Sequence, residues 1–256
     1  MSEKETGAAY SAYVLGLADD ALIYSHRLGE WLTWAPALEE DMALANVSLD
    51  LIGQARSLLT HVGSLDGTGR SEDDLAYLRD ERDFRNVHLV EQRRGDFGQE
   101  MARMLWFSAY QRELYAALAG SSDAQLRAIA AKALKEVRYH LDHASQWVVR
   151  LGDGTPESRE RMVAAFTWVA PYIAELFEDD AASVAAAGAG VGVLPSSLRA
   201  GAEATVAGVL AEATLDAPAV SRWHARGGRD GLHSEPMGYL IAEMQHLPRS
   251  HPGATW

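Results

Sequence analysis

Apolar residues recur at threes and fours along almost the whole chain, the spacing that gathers them on one face of a helix of ~3.6 residues per turn. Residues 8–33 carry Tyr13, Leu17, Tyr24, Leu28 and Trp31 in this way. The stretch "TWAPALEED" interrupts them: Pro36 disfavours helical backbone in the residue before it and can itself open the next helix. That helix runs through "DMALANVSLDLIGQARSLLTHV", with Leu44, Val47, Leu51, Leu58 and Val62 on an apolar side, and the two should pack as an antiparallel hairpin. Residues 64–96 hold two Gly-containing turns, a short helical patch and many charges, and read as a long crossover. A third helix, 97–119, places Phe97, Met101, Met104, Ser108, Gln111, Tyr115 and Leu118 along one stripe. A fourth follows the capping signal "SSDAQ" and runs to Leu151, before Gly152.

A helical pair, a crossover of roughly thirty residues and a second pair is the connectivity of an all-α, ferritin-like four-helix bundle with one long connection. The remainder adds helices rather than a second domain. One opens at Thr155 and Pro156, another follows Pro195, and a last one spans Ser234 to Leu247. The chain is thus expected to be a single domain over 1–256, its core bundle about 8–151 and its accessory helices about 155–247. The alanine- and glycine-rich piece at 185–193, "AAAGAGVGV", reads as a mobile loop. Its glycines do not match a dinucleotide-binding turn, and no strand precedes them.

Composition narrows the function classes. With 256 residues, 48% of them hydrophobic, the chain can bury a sizeable core. A formal net charge of -13 repels nucleic-acid phosphates and anionic lipid surfaces. Zero cysteines remove disulfides, thiolate metal sites and cysteine nucleophiles. The N-terminal residues lack the apolar core of a signal peptide, and no uninterrupted apolar run approaches the ~18 residues of a membrane span, so a cytoplasmic location is expected.

Candidate chemistry centres on "KEVRYHLDHA", which brings Glu136, His140 and His143 onto one side of the fourth helix. A di-metal carboxylate bundle needs one acid from each of two helices and a Glu-x-x-His pair from each of the other two. On the second helix Asp50 can stand for the acid, but Gly53 occupies the histidine position; on the fourth, Tyr139 stands three residues after Glu136, with His140 displaced by about 100°. The third helix offers neutral Ser108 and Gln111, and the first offers only Asp19 or Asp20. The set is incomplete. Retained acids then need other partners, because an unpaired buried carboxylate costs several kcal/mol. His140, His143, Arg56, Arg138, Gln54, Asn46 and Tyr139 are near enough in sequence to supply a hydrogen-bonded polar core. Two other arrangements stay open: metal ligation by Asp50, Glu136, His140 and His143, as in an autonomous carboxylate/histidine metalloenzyme, and plain surface exposure.

The tracts "HRLGEWLTWAPALEEDMALANVSLDLIGQAR", "RDERDFRNVHLVEQ", "AKALKEVRYHL" and "GLHSEPMGYLIAEMQHL" together resemble the non-catalytic ferritin-like subunit of phenylacetyl-CoA epoxidase, the monooxygenase complex of aerobic phenylacetate degradation. The likeness runs in order over nearly the whole chain. It implies a structural subunit without a cofactor of its own, paired with a related catalytic subunit that holds the di-iron centre, alongside a small third component and a reductase. It also implies that Asp19, Asp50, Glu136 and His140 are remnants of a vestigial metal site, with Tyr139 in the same polar core. Ser108 stands where relatives would keep an acid, and His143 adds an imidazole that the shared tract does not require. The charged crossover is expected to face a partner or water, a solvated segment being the commoner case. Trp31, Trp34, Trp106 and Trp168 are candidates for core and interface, and Arg93 and Arg94 for contacts with a CoA phosphate. A helical module that binds an acyl-CoA without any oxygenase connection is a third reading.

Overall fold

The computed structural model describes residues 3–217 and 221–254, and all regular structure among them is helical. Helix α1 (Glu3–Gly29) turns at residues 30–37 into α2 (Leu38–Leu65), and the two lie along each other. Pro36 does not open α2. The N-cap is Ala37, without a side-chain bond, and the turn is fixed by the Thr33 N–H donating to Asp41 at 2.7 Å. The crossover holds two short helices, α3 (Glu72–Tyr77) and α4 (His88–Glu91), separated by a 3-10 turn at Glu81–Asp83. Next come α5 (Phe97–Leu118) and α6 (Ala124–Gly152), which also lie along each other, with α6 closing against α2.

Local chemistry sets the ends of these helices. Asp96 accepts the Gln99 N–H while the Gln99 side chain returns to the Asp96 N–H, a reciprocal capping box that starts α5. Asp123 accepts the Leu126 N–H at 2.7 Å and starts α6. Thr155 and Ser158 form the capping box of α7 (Pro156–Ile173), whose first residue is the Pro that the sequence placed there.

Helix α5 is the central element. Every residue from Glu100 to Gln111 is buried, so it has core on all sides rather than a single apolar stripe. The later helices provide part of that enclosure: α7 and α9 (Arg199–Glu212) pack on α5, while α8 (Ala181–Gly188) packs on α1. Helix α10 (Glu235–Ser250) covers α3. The tract 185–193 is not the free loop that its composition suggested. Residues 185–188 finish α8, and the turn after them is tied down by Ser121 Oγ on the Val191 carbonyl at 2.7 Å, Ser122 on Gly190, and the Val193 N–H on the Tyr13 hydroxyl. Small residues allow this close packing where they would otherwise favour a loop.

Candidate functional site

Among the described residues five carboxylates are buried, and each is surrounded by donors. Asp19, fully buried on α1, accepts from the Arg79 guanidinium at 2.9 Å and from the Arg85 N–H at 2.8 Å. Its neighbour Asp20 accepts from Arg229 at 2.6 Å and from the Val87 N–H at 2.9 Å. Burial pushes the Asp20 carboxyl up to about 6 against the pull of Arg229. Glu91 takes the Asn86 amide at 2.9 Å, His233 Nδ1 at 2.8 Å and both the N–H and the hydroxyl of Ser234 at 2.6 Å.

On α5, Glu100 accepts the Tyr24 hydroxyl and the Trp31 indole N–H, each at 2.8 Å, and pairs with the fully buried Arg103. Burial and the Glu100 charge raise the Tyr24 pKa well above the usual phenol range, which keeps that hydroxyl a donor. Glu175, just after α7, accepts the His88 N–H at 2.7 Å, His88 Nδ1 at 2.9 Å and the Gly228 N–H at 2.9 Å. Burial alone would raise the Glu175 pKa, but these bonds hold it below the ordinary carboxylate value. A carboxylate that accepts three or four N–H or O–H bonds recovers much of what it lost on leaving water, although at Asp20 burial still outweighs them.

The crossover therefore runs partly inward. Arg79, Asn86, His88, Glu91 and Gln92 are buried, which corrects the solvated or partner-facing reading for those residues, while Asp80, Arg82, Asp83 and Arg93 are exposed as that reading expects. Its buried groups meet Asp19 of α1, Glu175 just after α7, and the His233 and Ser234 donors of the C-terminal segment, a pairing that no local pattern discloses.

The residues singled out in the sequence do not form one cluster. Asp19 belongs to the crossover network, whereas Asp50, Glu136, His140 and His143 lie along the seam between α2 and α6 as separate rungs. His140 Nε2 lies 3.0 Å from Asp50, whose side chain is 37% exposed. Glu136 accepts from Gln54 at 3.1 Å and lies 3.4 Å from Lys132, while the Tyr115 hydroxyl donates to the other face of the Gln54 amide. His143 lies 3.2 Å from Glu40, which instead accepts the Trp147 indole N–H at 2.8 Å; His143 Nε2 is left without a well-angled partner, and burial lowers its pKa.

Tyr139 is 52% exposed and stacks on His143 from outside, which corrects its placement in a polar core: three residues after Glu136, it has rotated past the seam. Arg56 pairs with Glu72 rather than with the seam, and Arg138 and Asn46 are exposed. Ser108 and Gln111 are buried on α5, with Gln111 Oε1 unpartnered.

Iron of the ferritin-like kind needs acids and imidazoles converging on one point, and these donors do not fit it. Asp50 and His140 face each other, Glu136 is held by an amide and a lysine, and Asp19 is closed by a guanidinium. Among the described residues no group of three or more His, Asp or Glu side chains could hold a metal ion. Sequence reasoning missed Glu91, Glu100, Glu175, Arg103, Arg229, His88 and His233. For Glu100 and Arg103 a signal existed: a charge pair at i, i+3 within a stretch otherwise rich in Met, Leu, Trp and Phe.

Two comparisons with known proteins bear on this arrangement. The sequence model of the family described as "Phenylacetic acid catabolic protein" matches residues 1–256. The chain is also 46% identical over 246 residues to a subunit of the 1,2-phenylacetyl-CoA epoxidase of Escherichia coli (strain K12), an overlap of 96% of this chain and 98% of that protein.

Proposed function

Because the chain belongs to the phenylacetic acid catabolic protein family, we propose that it is a structural subunit of a multicomponent phenylacetyl-CoA epoxidase. In this reading α1, α2, α5 and α6 are a ferritin-like bundle without chemistry of its own, and α7 to α10 are accessory helices of the same domain. A separate, related subunit holds the di-iron centre, and a small third component and a reductase complete the complex. Asp19, Asp50, Glu136 and His140 are the remnants of a site whose acids have been taken over by other partners.

One observation carries the reading. Each buried carboxylate is closed by guanidinium, imidazole, phenol, indole or amide donors, an arrangement suited to rigidity and not to ligand exchange. A bundle locked in this way can hold a partner's helices in register, where small displacements of reacting groups cost large factors in rate. No described helix is long and apolar enough to cross a membrane, and we place the complex in the cytoplasm.

The test is to purify the chain alone and together with the other epoxidase subunits, measuring iron and oxygen-dependent conversion of phenylacetyl-CoA. Iron and turnover should follow the catalytic subunit, and His140→Ala or Glu136→Gln in this chain should leave the iron content of the complex unchanged. Near-stoichiometric iron in the isolated chain, lost in His140→Ala together with activity, would establish an autonomous metalloenzyme instead.

A further inference from the structure

Helix α2 is apolar on the side that faces away from the core as well as on the side that faces it. Leu38, Met42, Ala45, Leu49 and Ile52 follow one another at steps of four, three, four and three residues, the a/d repeat of a coiled-coil seam. At ~100° per residue they lie opposite Leu44, Val47, Leu51 and Leu58, which are buried in the core. Leu38, Met42 and Leu49 are 71%, 60% and 65% exposed. Such a stripe, about 20 Å long at ~1.5 Å per residue, has the length and spacing that another helix could pack against.

Its surroundings indicate the partner's chemistry. Trp34, exposed just before α2, is held under the Arg94 guanidinium at 4.3 Å, and Tyr139 is exposed on α6. Tryptophan, tyrosine and arginine are the residue types that concentrate binding energy in interfaces. Next to the stripe, a cleft of about 210 Å³ opens between α2 and α6 beside the small residues Gly53, Ser57 and Ala128, with room for an inserted side chain. The outer face of α6 is basic: Arg127, Lys132, Lys135, Arg138 and Arg150 are exposed, against a single exposed acid, Asp142. Lys132 Nζ comes within 4.0 Å of where a Cβ on Gly53 would stand, so this cation lies beside the stripe. In a chain of net charge -13 this face has the opposite sign to the whole.

We propose that this surface docks an amphipathic helix of another subunit of the epoxidase complex, one whose apolar a/d stripe is flanked by carboxylates. The proposal rests on the assignment of the chain to that complex. A second copy of this chain is a poorer occupant, because it would bring the same cations and the same overall negative charge and gain no complementarity.

The experiment measures binding of this chain to the other subunits of the epoxidase from the same organism, by size-exclusion co-elution and by kinetics at low and high salt. Met42→Glu/Leu49→Glu should weaken binding at least ~10-fold while the free chain keeps its thermal midpoint, and the milder Met42→Ala/Leu49→Ala should act in the same direction. Lys132→Glu/Arg138→Glu should slow association and flatten its salt dependence. Val184→Glu, at an exposed apolar residue on α8, should bind as the unaltered chain does. Unchanged binding by both stripe variants would overturn the surface and leave the epoxidase assignment standing. A self-dimer of the unaltered chain that Met42→Glu/Leu49→Glu dissociates would overturn the choice of occupant. Failure of the unaltered chain to bind any of those subunits would remove the assignment and this proposal together.

Discussion

Arg103 has no route to water: it is 1% exposed, its charge met by Glu100 on the preceding turn and by the Gln92 carbonyl, with the Tyr24 ring 5.4 Å from its guanidinium carbon. Removing one member of such a pair strands the other as an uncompensated buried charge, at a cost of about 3–5 kcal/mol. Arg103→Met is therefore expected to lower the thermal midpoint by roughly 6–20 °C in a chain of this size, and Arg103→Met combined with Glu100→Gln by less than that single variant. Thermal unfolding followed by circular dichroism distinguishes the two.

The His88–Glu175 pair makes a prediction in pH. Burial disfavours the His88 imidazolium, but the bond to Glu175 and the charges of Glu175 and Glu91 outweigh it and raise the pKa. Stability from His88 is thus complete below the ordinary imidazole value of about 6.5 and is lost as pH rises through the higher folded value. For Glu175, with its pKa lowered, stability is present above the ordinary carboxylate value and lost as pH falls through the folded one. The contribution of His88 to the melting temperature should decline as pH rises above about 6.5 and through the higher folded value, and His88→Gln should remove that contribution.

At the scale of elements, the C-terminal segment is fastened to the crossover by Arg229 on the Arg85 carbonyl and by His233 and Ser234 on Glu91, with a close backbone approach at Gly228. The Gly228 N–H donates to Glu175, and a Cβ at Gly228 would stand 2.3 Å from the Asn86 carbonyl oxygen. Gly228→Ala must push the two strands of chain apart, with a stability loss of about 1–3 kcal/mol and faster proteolytic cleavage around residues 221–234. Unchanged cleavage would show that the contact yields without consequence.

The helices themselves were largely legible. Apolar recurrence located α1, α2, α5 and α6, and the capping residues Asp123, Thr155 and Pro156 lie where the sequence placed them. The partly inward course of the crossover was not legible, since alternating charge describes a solvated segment and a buried network equally well until its partners are known.

At the scale of the molecule, the basic outer face of α6 is a local attraction set against the chain's net charge of -13, and a docking helix flanked by carboxylates should associate with it faster at low ionic strength. Raising salt from about 50 mM to about 500 mM, across which the Debye length shrinks to a few Å, should reduce the association rate far more than the dissociation rate. Equal effects on both would place the charges outside the encounter surface.

By itself the sequence determined the helical class, the order and rough limits of the long helices, and membership of the family, because periodicity, caps and long shared tracts are properties of neighbouring residues along the chain. Only the tertiary structure decided which acids are buried and what closes them. Asp19 meets Arg79 across sixty residues of separation and Asp20 meets Arg229 across more than two hundred, and a pairing of that span is fixed by how helices stack, not by spacing within any one of them.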